Sequence, residues 1–197
     1  MFFKQISLTA LTALTALTAP AALAAPASFS FKGTADFVSD APLEKINGQA
    51  NGSGAVTLDF DNLSALSGTI VMPVRSMKTG NDQRDDHLYS AEWLDAEKCP
   101  DVKLELKGAV VESVETKGDI TVAKLQVSGA FGLYCESKDL TIPVTIKRKG
   151  AQAKASATFT VSLADFKVAG KAGVVGNKVG SSIAVTVNLS GAQGGGN

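Results

Sequence analysis

The sequence predicts an all-β protein, an antiparallel barrel of about eight strands carrying a short helical insertion. Three observations carry this. Apolar and polar residues alternate with period two in segment after segment, as in strands with one buried face. The connectors between several of these segments are short and glycine-rich, which suits hairpins. The alternation also runs for nine or more residues in several places, about 30 Å of strand at roughly 3.3 Å per residue. Strands of that length in a meander favour closure, because a barrel leaves no edge to pair with other chains.

The elements follow in order. Residues 1–24 have Lys4, an apolar run from Ile6 to Ala19 and the small-residue stretch Ala22-Leu23-Ala24, the pattern of a secretory signal peptide cut after Ala24. The run is short for a membrane span, and no integral membrane segment is expected once it is removed. A barrel domain is expected over residues 25–190. Its first strand lies around Phe29 to Val38, and the second carries Val56, Leu58 and Phe60. Ile70, Met72 and Val74 mark the third, and Val102, Leu104 and Leu106 the fourth. Ala123, Leu125, Val127, Phe131 and Leu133 mark the fifth, followed by a sixth with Leu140, Ile142, Val144 and Ile146. The seventh has Ala155, Ala157, Phe159, Val161 and Leu163, and the eighth Ile183, Val185, Val187 and Leu189. Expected turns are Asn51-Gly52-Ser53-Gly54, Lys117-Gly118-Asp119 and Lys149-Gly150-Ala151. Residues 169–180, with four glycines, read as a loop, and 191–197 as a disordered tail.

The period of two stops between Asp82 and Ala96. Asp82 with Asp85 three positions on resembles an N-terminal cap, and Leu88, Tyr89 and Trp93 fall near one side of a helix of three turns or fewer, ended by Pro100. This insertion holds the only His and the only Trp of the chain.

Charge and chemistry narrow the function. Basic and acidic residues balance at 19 each, and loss of Lys4 with the leader leaves a slight acidic excess, so no nucleic-acid partner is implied. Cys99 and Cys135 form an even pair in a chain bound for an oxidising compartment, which favours a disulfide stabilising the fold by about 3–4 kcal/mol. Asp82, Asp85, Asp86, His87 and Glu92 admit a metal or acid–base reading, or a plainer one of capping, helix-dipole complementarity and an Arg84 salt bridge. With a single His no His-rich zinc site forms, the spacing is not that of an EF-hand, and no metal or cofactor is expected. His87 lacks a G-x-S-x-G context, and Lys171 is followed by Ala172, not by the Ser or Thr of a P-loop. Eight strands leave an interior that holds one small ligand or is filled by side chains, and the alternation fits both.

The run Met77-Lys78-Thr79-Gly80-Asn81, then Arg84-Asp85-x-His87-Leu88, Trp93-Leu94-Asp95-Ala96 and Cys99-Pro100-Asp101-Val102-x-Leu104, resembles the signature of the YceI-like family of exported lipid-binding proteins. The likeness extends from about Ser28 to Leu189. It implies an extended lipocalin-like barrel whose lumen takes a long-chain apolar lipid, a polyisoprenoid or a fatty-acyl-like molecule, by binding and not by turnover. On that implication Leu58, Phe60, Met72, Leu104, Leu106, Leu125, Phe131, Phe159, Val161 and Val185 line the lumen. Arg84 and His87 meet the head group or brace the barrel mouth. Periplasmic residence, or secretion, is expected. Two rivals stay open: a barrel enzyme using Asp85, Asp86 and His87 on a lipid, and a filled-core secreted protein.

Overall fold

The computed structural model describes residues 26–194, so the expected leader and the last three residues lie outside it. Eight strands form a closed barrel in which each pairs antiparallel with its neighbours in sequence and the last returns to the first. They are β1 (Ala27–Asp40), β2 (Lys45–Leu58), β3 (Ser67–Pro73), β4 (Asp101–Lys117), β5 (Ile120–Leu133), β6 (Glu136–Lys149), β7 (Gln152–Ser162) and β8 (Ser182–Gln193). Each alternating segment falls on one strand, but Phe60, Val74 and Leu163 lie just past the ends of β2, β3 and β7, and β2 begins at Lys45, well before its expected start. Period two works here because each strand has one face on the interior; in β5, Ala123, Leu125, Val127, Phe131 and Leu133 are all buried.

In an up-and-down meander the connections alternate between two ends. One end has tight turns at Gly118 and Gly150, both at positive φ, and the connection 59–66 with a 3-10 turn at Leu63–Ala65. The other has the β1–β2 turn at 41–44, the insertion at 74–100, the two-residue turn Tyr134-Cys135 and the long connection 163–181. A separate apolar cluster lies toward each end.

Pairing is not uniform. β6 and β7 pair only from Val144↔Ala157 down to Lys149↔Gln152. Above that point Pro143 has no N–H to donate, and the 3-10 turn Ala164–Phe166 packs against both strands. β2 and β3 pair only over Ser53–Thr57, and the upper part of β2 is joined to Lys78 through paired backbone bonds of 2.8 Å with Gln49.

Three expectations need correction. Asn51 to Gly54 is not a turn but the middle of β2, and the turn lies ten residues earlier at 41–44. Glycines sit there for closeness of approach: a Cβ on Gly54 would fall 2.0 Å from the Thr69 carbonyl oxygen on β3. Gly54→Ala is therefore expected to destabilise the barrel by about 1–3 kcal/mol, measured as a fall in denaturation midpoint, while an unchanged midpoint would refute the close approach. The expected tail begins too early, since β8 continues to Gln193 and Gly191 pairs with both Phe31 and Ala153. The helix α1 (Asp82–Tyr89) spans eight residues, and its N-cap is Asn81, whose Oδ1 accepts from the Arg84 N–H at 3.0 Å; Asp82 is the first helical residue.

Cys99 and Cys135 are joined, 36 residues apart. The bond ties the end of the insertion to the β5–β6 turn, where Tyr134 (φ 51°) and Cys135 (φ 58°) both take the left-handed conformation of a primed two-residue hairpin.

Candidate functional site

The barrel encloses a cavity of about 640 Å³, within the range of small-molecule sites. Its wall is almost entirely carbon. Leu58 of β2, Met72 of β3, and Leu104 and Leu106 of β4 line it from one side. Phe131 of β5, Phe159 and Val161 of β7, and Val185 of β8 line it from the other. The alternation missed Phe31, Ala35 and Phe37 of β1 and Ile46 of β2, which also line it. The spacing of Phe31, Ala35 and Phe37 on one strand face was the signal that could have found them. Ile142 and Val144 were recognised as strand residues without being assigned to the wall.

Two of the expected lining residues do not reach the cavity. Leu125 has the inward parity but is fully buried in the apolar cluster that holds Phe29, Leu63 and Ala123, while its β6 partner Val144 lines the cavity. Phe60 follows the end of β2, its ring 6.3 Å from that of Phe29 and beneath the Arg148 guanidinium at 4.6 Å. Parity sets which face a side chain takes, whereas the packing of its neighbours decides whether it meets open space.

The mouth is built by the insertion and the long connection. From α1 and the residues before it come Thr79, Asn81, Gln83, Arg84, His87 and Leu88. Trp93 and Leu94 follow in the turns beyond. Trp93 seats against Gly170, where φ is +56° and a Cβ would lie 2.7 Å from the indole, so the glycine loop takes this path because a side chain there would strike the ring. Tyr89 donates its hydroxyl to the Met77 carbonyl, and Tyr134 donates to the Ala91 carbonyl at 3.1 Å, which fastens the insertion at both ends.

Arg84 and His87 both border the cavity, as expected, but differ in their freedom. The Arg84 guanidinium donates to Thr79 Oγ1 at 2.9 Å, to the Thr79 carbonyl at 3.2 Å and to Glu44 Oε1 at 2.5 Å. Its partner is thus a carboxylate forty residues away on the β1–β2 turn, not a neighbour in the insertion. All of these bonds are internal, so Arg84 braces the mouth. The His87 ring is exposed and makes no side-chain hydrogen bond among the described residues.

Of the acidic residues in the insertion only Asp85 is buried, at 2% exposure. It accepts from the Thr79 N–H at 2.8 Å and the Thr79 hydroxyl at 2.7 Å, with Lys78 Nζ at 3.5 Å. Burial pushes its carboxyl up, but the Thr79 bonds and the Lys78 charge outweigh this and hold it below the usual carboxylate value. Among the described residues no three His, Cys, Asp or Glu side chains gather as metal ligands would.

With this geometry in view, comparison with known proteins is informative. The family model described as YceI-like domain matches residues 24–190. Two Pseudomonas putida proteins, each named UPF0312 protein, are 30% identical over 108 residues, 52% of this chain and 52% of their own length. The chain thus spans about half the length of these curated relatives. Among solved structures, BcnA of Burkholderia cenocepacia superposes with TM-score 0.66 at 18% identity, covering 83% of this chain and 95% of that one. A polyisoprenoid binding domain from Saccharophagus degradans, implicated in plant cell wall breakdown, gives 0.65 at 13% identity, covering 85% and 99%. The YceI protein of Campylobacter jejuni gives 0.61 at 18%, covering 80% and 90%. These structures share the barrel, and the family match covers nearly every residue of its wall and mouth: the chain belongs to the YceI-like domain family.

Proposed function

We propose that this protein is an exported carrier, resident in the periplasm or secreted, that sequesters a long apolar molecule of the isoprenoid or fatty-acyl kind in the barrel lumen. The observation that carries the reading is the cavity of about 640 Å³ walled by Leu, Ile, Val, Met and Phe side chains. Each methylene moved from water into such a space gains about 0.8 kcal/mol, so fifteen carbons give a gross gain near 12 kcal/mol, partly offset by ordering. Micromolar binding needs only about 8 kcal/mol. A strong polar anchor is therefore unnecessary, which agrees with a mouth whose one buried carboxylate is already bonded within the protein. The same commitment of Asp85 to Thr79 leaves acid–base catalysis without a buried carboxylate aimed at the lumen. The polyisoprenoid named for the Saccharophagus degradans domain supports the ligand class, and the leader-like residues 1–24 support export.

Organic extraction of the purified protein followed by mass spectrometry tests this. The expected result is a long-chain apolar compound in near-stoichiometric amount. A protein that releases nothing, and takes up no long-chain alcohol when offered one, would rule the carrier reading out.

A further inference from the structure

The connection 163–181 is pinched at its base, where the Leu163 N–H donates to the Ser181 carbonyl at 3.0 Å. Between Gly170 and Gly180 the chain is knit to itself. The Val174 carbonyl accepts from the N–H groups of Asn177, Lys178 and Val179 at 3.2, 2.9 and 3.1 Å, and Asn177 Nδ2 donates to the Gly173 carbonyl at 2.9 Å. Residues 171–179 thus hold their shape largely by their own bonds. Val175 and Val179 pack on the apolar cluster at the mouth end, and Val174, Lys178 and Val179 border the cavity. The attachments to the barrel are few. At one end Trp93 seats on Gly170, and at the other the Gly180 N–H donates to the buried Ser39 hydroxyl at 2.9 Å. Between those ends, among the described residues, the polar ties are the Leu43 N–H to the Asn177 carbonyl at 3.1 Å and an exposed ion pair of Lys171 with Glu92 at 3.7 Å. An ion pair in water holds little. Leu43 lies on a fixed turn, since Glu44 beside it is bonded to Arg84 of α1.

We propose that residues 171–179 form a flap that swings about Gly170 and Gly180 to admit and release the guest, with the Leu43–Asn177 bond as its latch; the gate rests on the carrier reading above. Both ends are glycines, whose backbone rotates without a side chain to obstruct it. Hinges of this kind lie at a few terminal positions of a loop while the body between them keeps its form. A self-bonded segment that covers an apolar space and is tied to the barrel by so few bonds belongs to the least stable part of the molecule, from which lids are drawn. The opposite rim is less free to move. There the insertion is fastened by the Cys99–Cys135 bond and by the Tyr89 and Tyr134 hydroxyls. Opening the flap breaks the latch and the Lys171 pair and lifts Val175 and Val179 from the cluster, while the knit of the flap and the barrel ladder stay whole.

The test follows uptake of hexadecanol by protein stripped of lipid on a hydrophobic resin, and its release against the deuterated alcohol, by native mass spectrometry. Leu43 and Asn177 are exposed and lie outside the cavity lining, so changing them leaves the core as it is. Leu43→Pro removes the latch donor, while the turn's own bond from the Ala41 N–H to the Glu44 carbonyl at 3.0 Å stays. Uptake and release are expected to quicken together by about fivefold, the worth of one net hydrogen bond. Kd is expected to stay the same, because the latch is equally present with and without a guest. Leu43→Ala keeps the N–H and should exchange as the wild type does. Independently, Leu43→Cys with Asn177→Cys, bridged by a short bismaleimide, holds the flap shut; the native cysteines are already paired and do not react. Bridging before loading should slow uptake by about tenfold or more, and bridging after loading should slow release as much. Release that quickens in Leu43→Pro without uptake, or exchange unaltered in either variant, would overturn the gate while leaving the carrier reading intact. No uptake of hexadecanol by the unbridged wild type would overturn the carrier reading, and the gate with it.

Discussion

Replacing Cys99 and Cys135 together by Ala is expected to lower the unfolding free energy by about 4 kcal/mol. The bond closes a loop of 36 residues, and on the chain-entropy model a loop of that size restricts the unfolded chain by about 3.8 kcal/mol. For a domain of this size that is a fall of roughly 8–15 °C in melting temperature. The native side shows where the effect is felt. Tyr134 and Cys135 hold left-handed backbone without glycine, as does Asp95 (φ 47°) near the other end of the bond. Each such residue costs on the order of 1 kcal/mol in the folded state, so without the bond this stretch is the first to relax. What remains without the bond is the Cys99 N–H to Asp95 carbonyl contact at 2.7 Å and the Tyr134 to Ala91 bond. The variant should therefore still fold, with the insertion less firmly seated over the mouth. Thermal unfolding of the double variant, and of the wild type with and without reductant, checks this. Melting within about 2 °C of the oxidised protein would show that the bond adds nothing to the fold.

Much of this architecture is legible in the sequence because its physics is local. The eight strands are visible since each turns one face inward, and the insertion is visible because the two-residue period fails there. The errors share a cause, which is that spacing says nothing of what lies opposite. Asn51 to Gly54 has turn chemistry but occupies mid-strand, because β3 approaches too closely there for a Cβ on Gly54. Tyr134-Cys135 has no turn chemistry but makes a two-residue hairpin as tight as those at Gly118 and Gly150, held by a partner 36 residues back. Leu125 and Leu104 share inward parity, yet one is packed under its neighbours and the other lines the wall, since spacing along one strand does not say which side chains from other strands cover it. An open lumen and a filled one give the same alternation. Only the summed volume of the inward side chains against the barrel's girth separates them, and the structure shows that space remains.

Asp85→Ala is expected to cost about 3 kcal/mol, although its bonds run only to Thr79 and Lys78 within the insertion. The carboxylate is buried, and the Thr79 N–H and hydroxyl both point at it. Removing it leaves the Thr79 N–H without an acceptor, and hydrogen bonds to a charged partner are worth about 1.5–3 kcal/mol each. The Lys78 contact adds little, because that amine is mostly in water. Asp85→Asn keeps the shape but puts an N–H donor where an acceptor is required, so it should recover only part of the loss. The pH dependence has a definite sign. The folded-state carboxyl lies below its ordinary value of 3.8, so its contribution is fully present above that value and is lost as pH falls through the lower, folded one. Asp85→Ala should thus lose stability at neutral pH and flatten the acid limb of the stability profile. Because Thr79 also anchors Arg84, the mouth brace to Glu44 loosens in the same variant, and dissociation of a bound lipid should quicken. Chemical denaturation from pH 2.5 to 7, with lipid off-rates at pH 7, reads both effects. A wild-type stability at neutral pH in Asp85→Ala would show that Thr79 finds another acceptor and that this carboxylate does not pin the mouth.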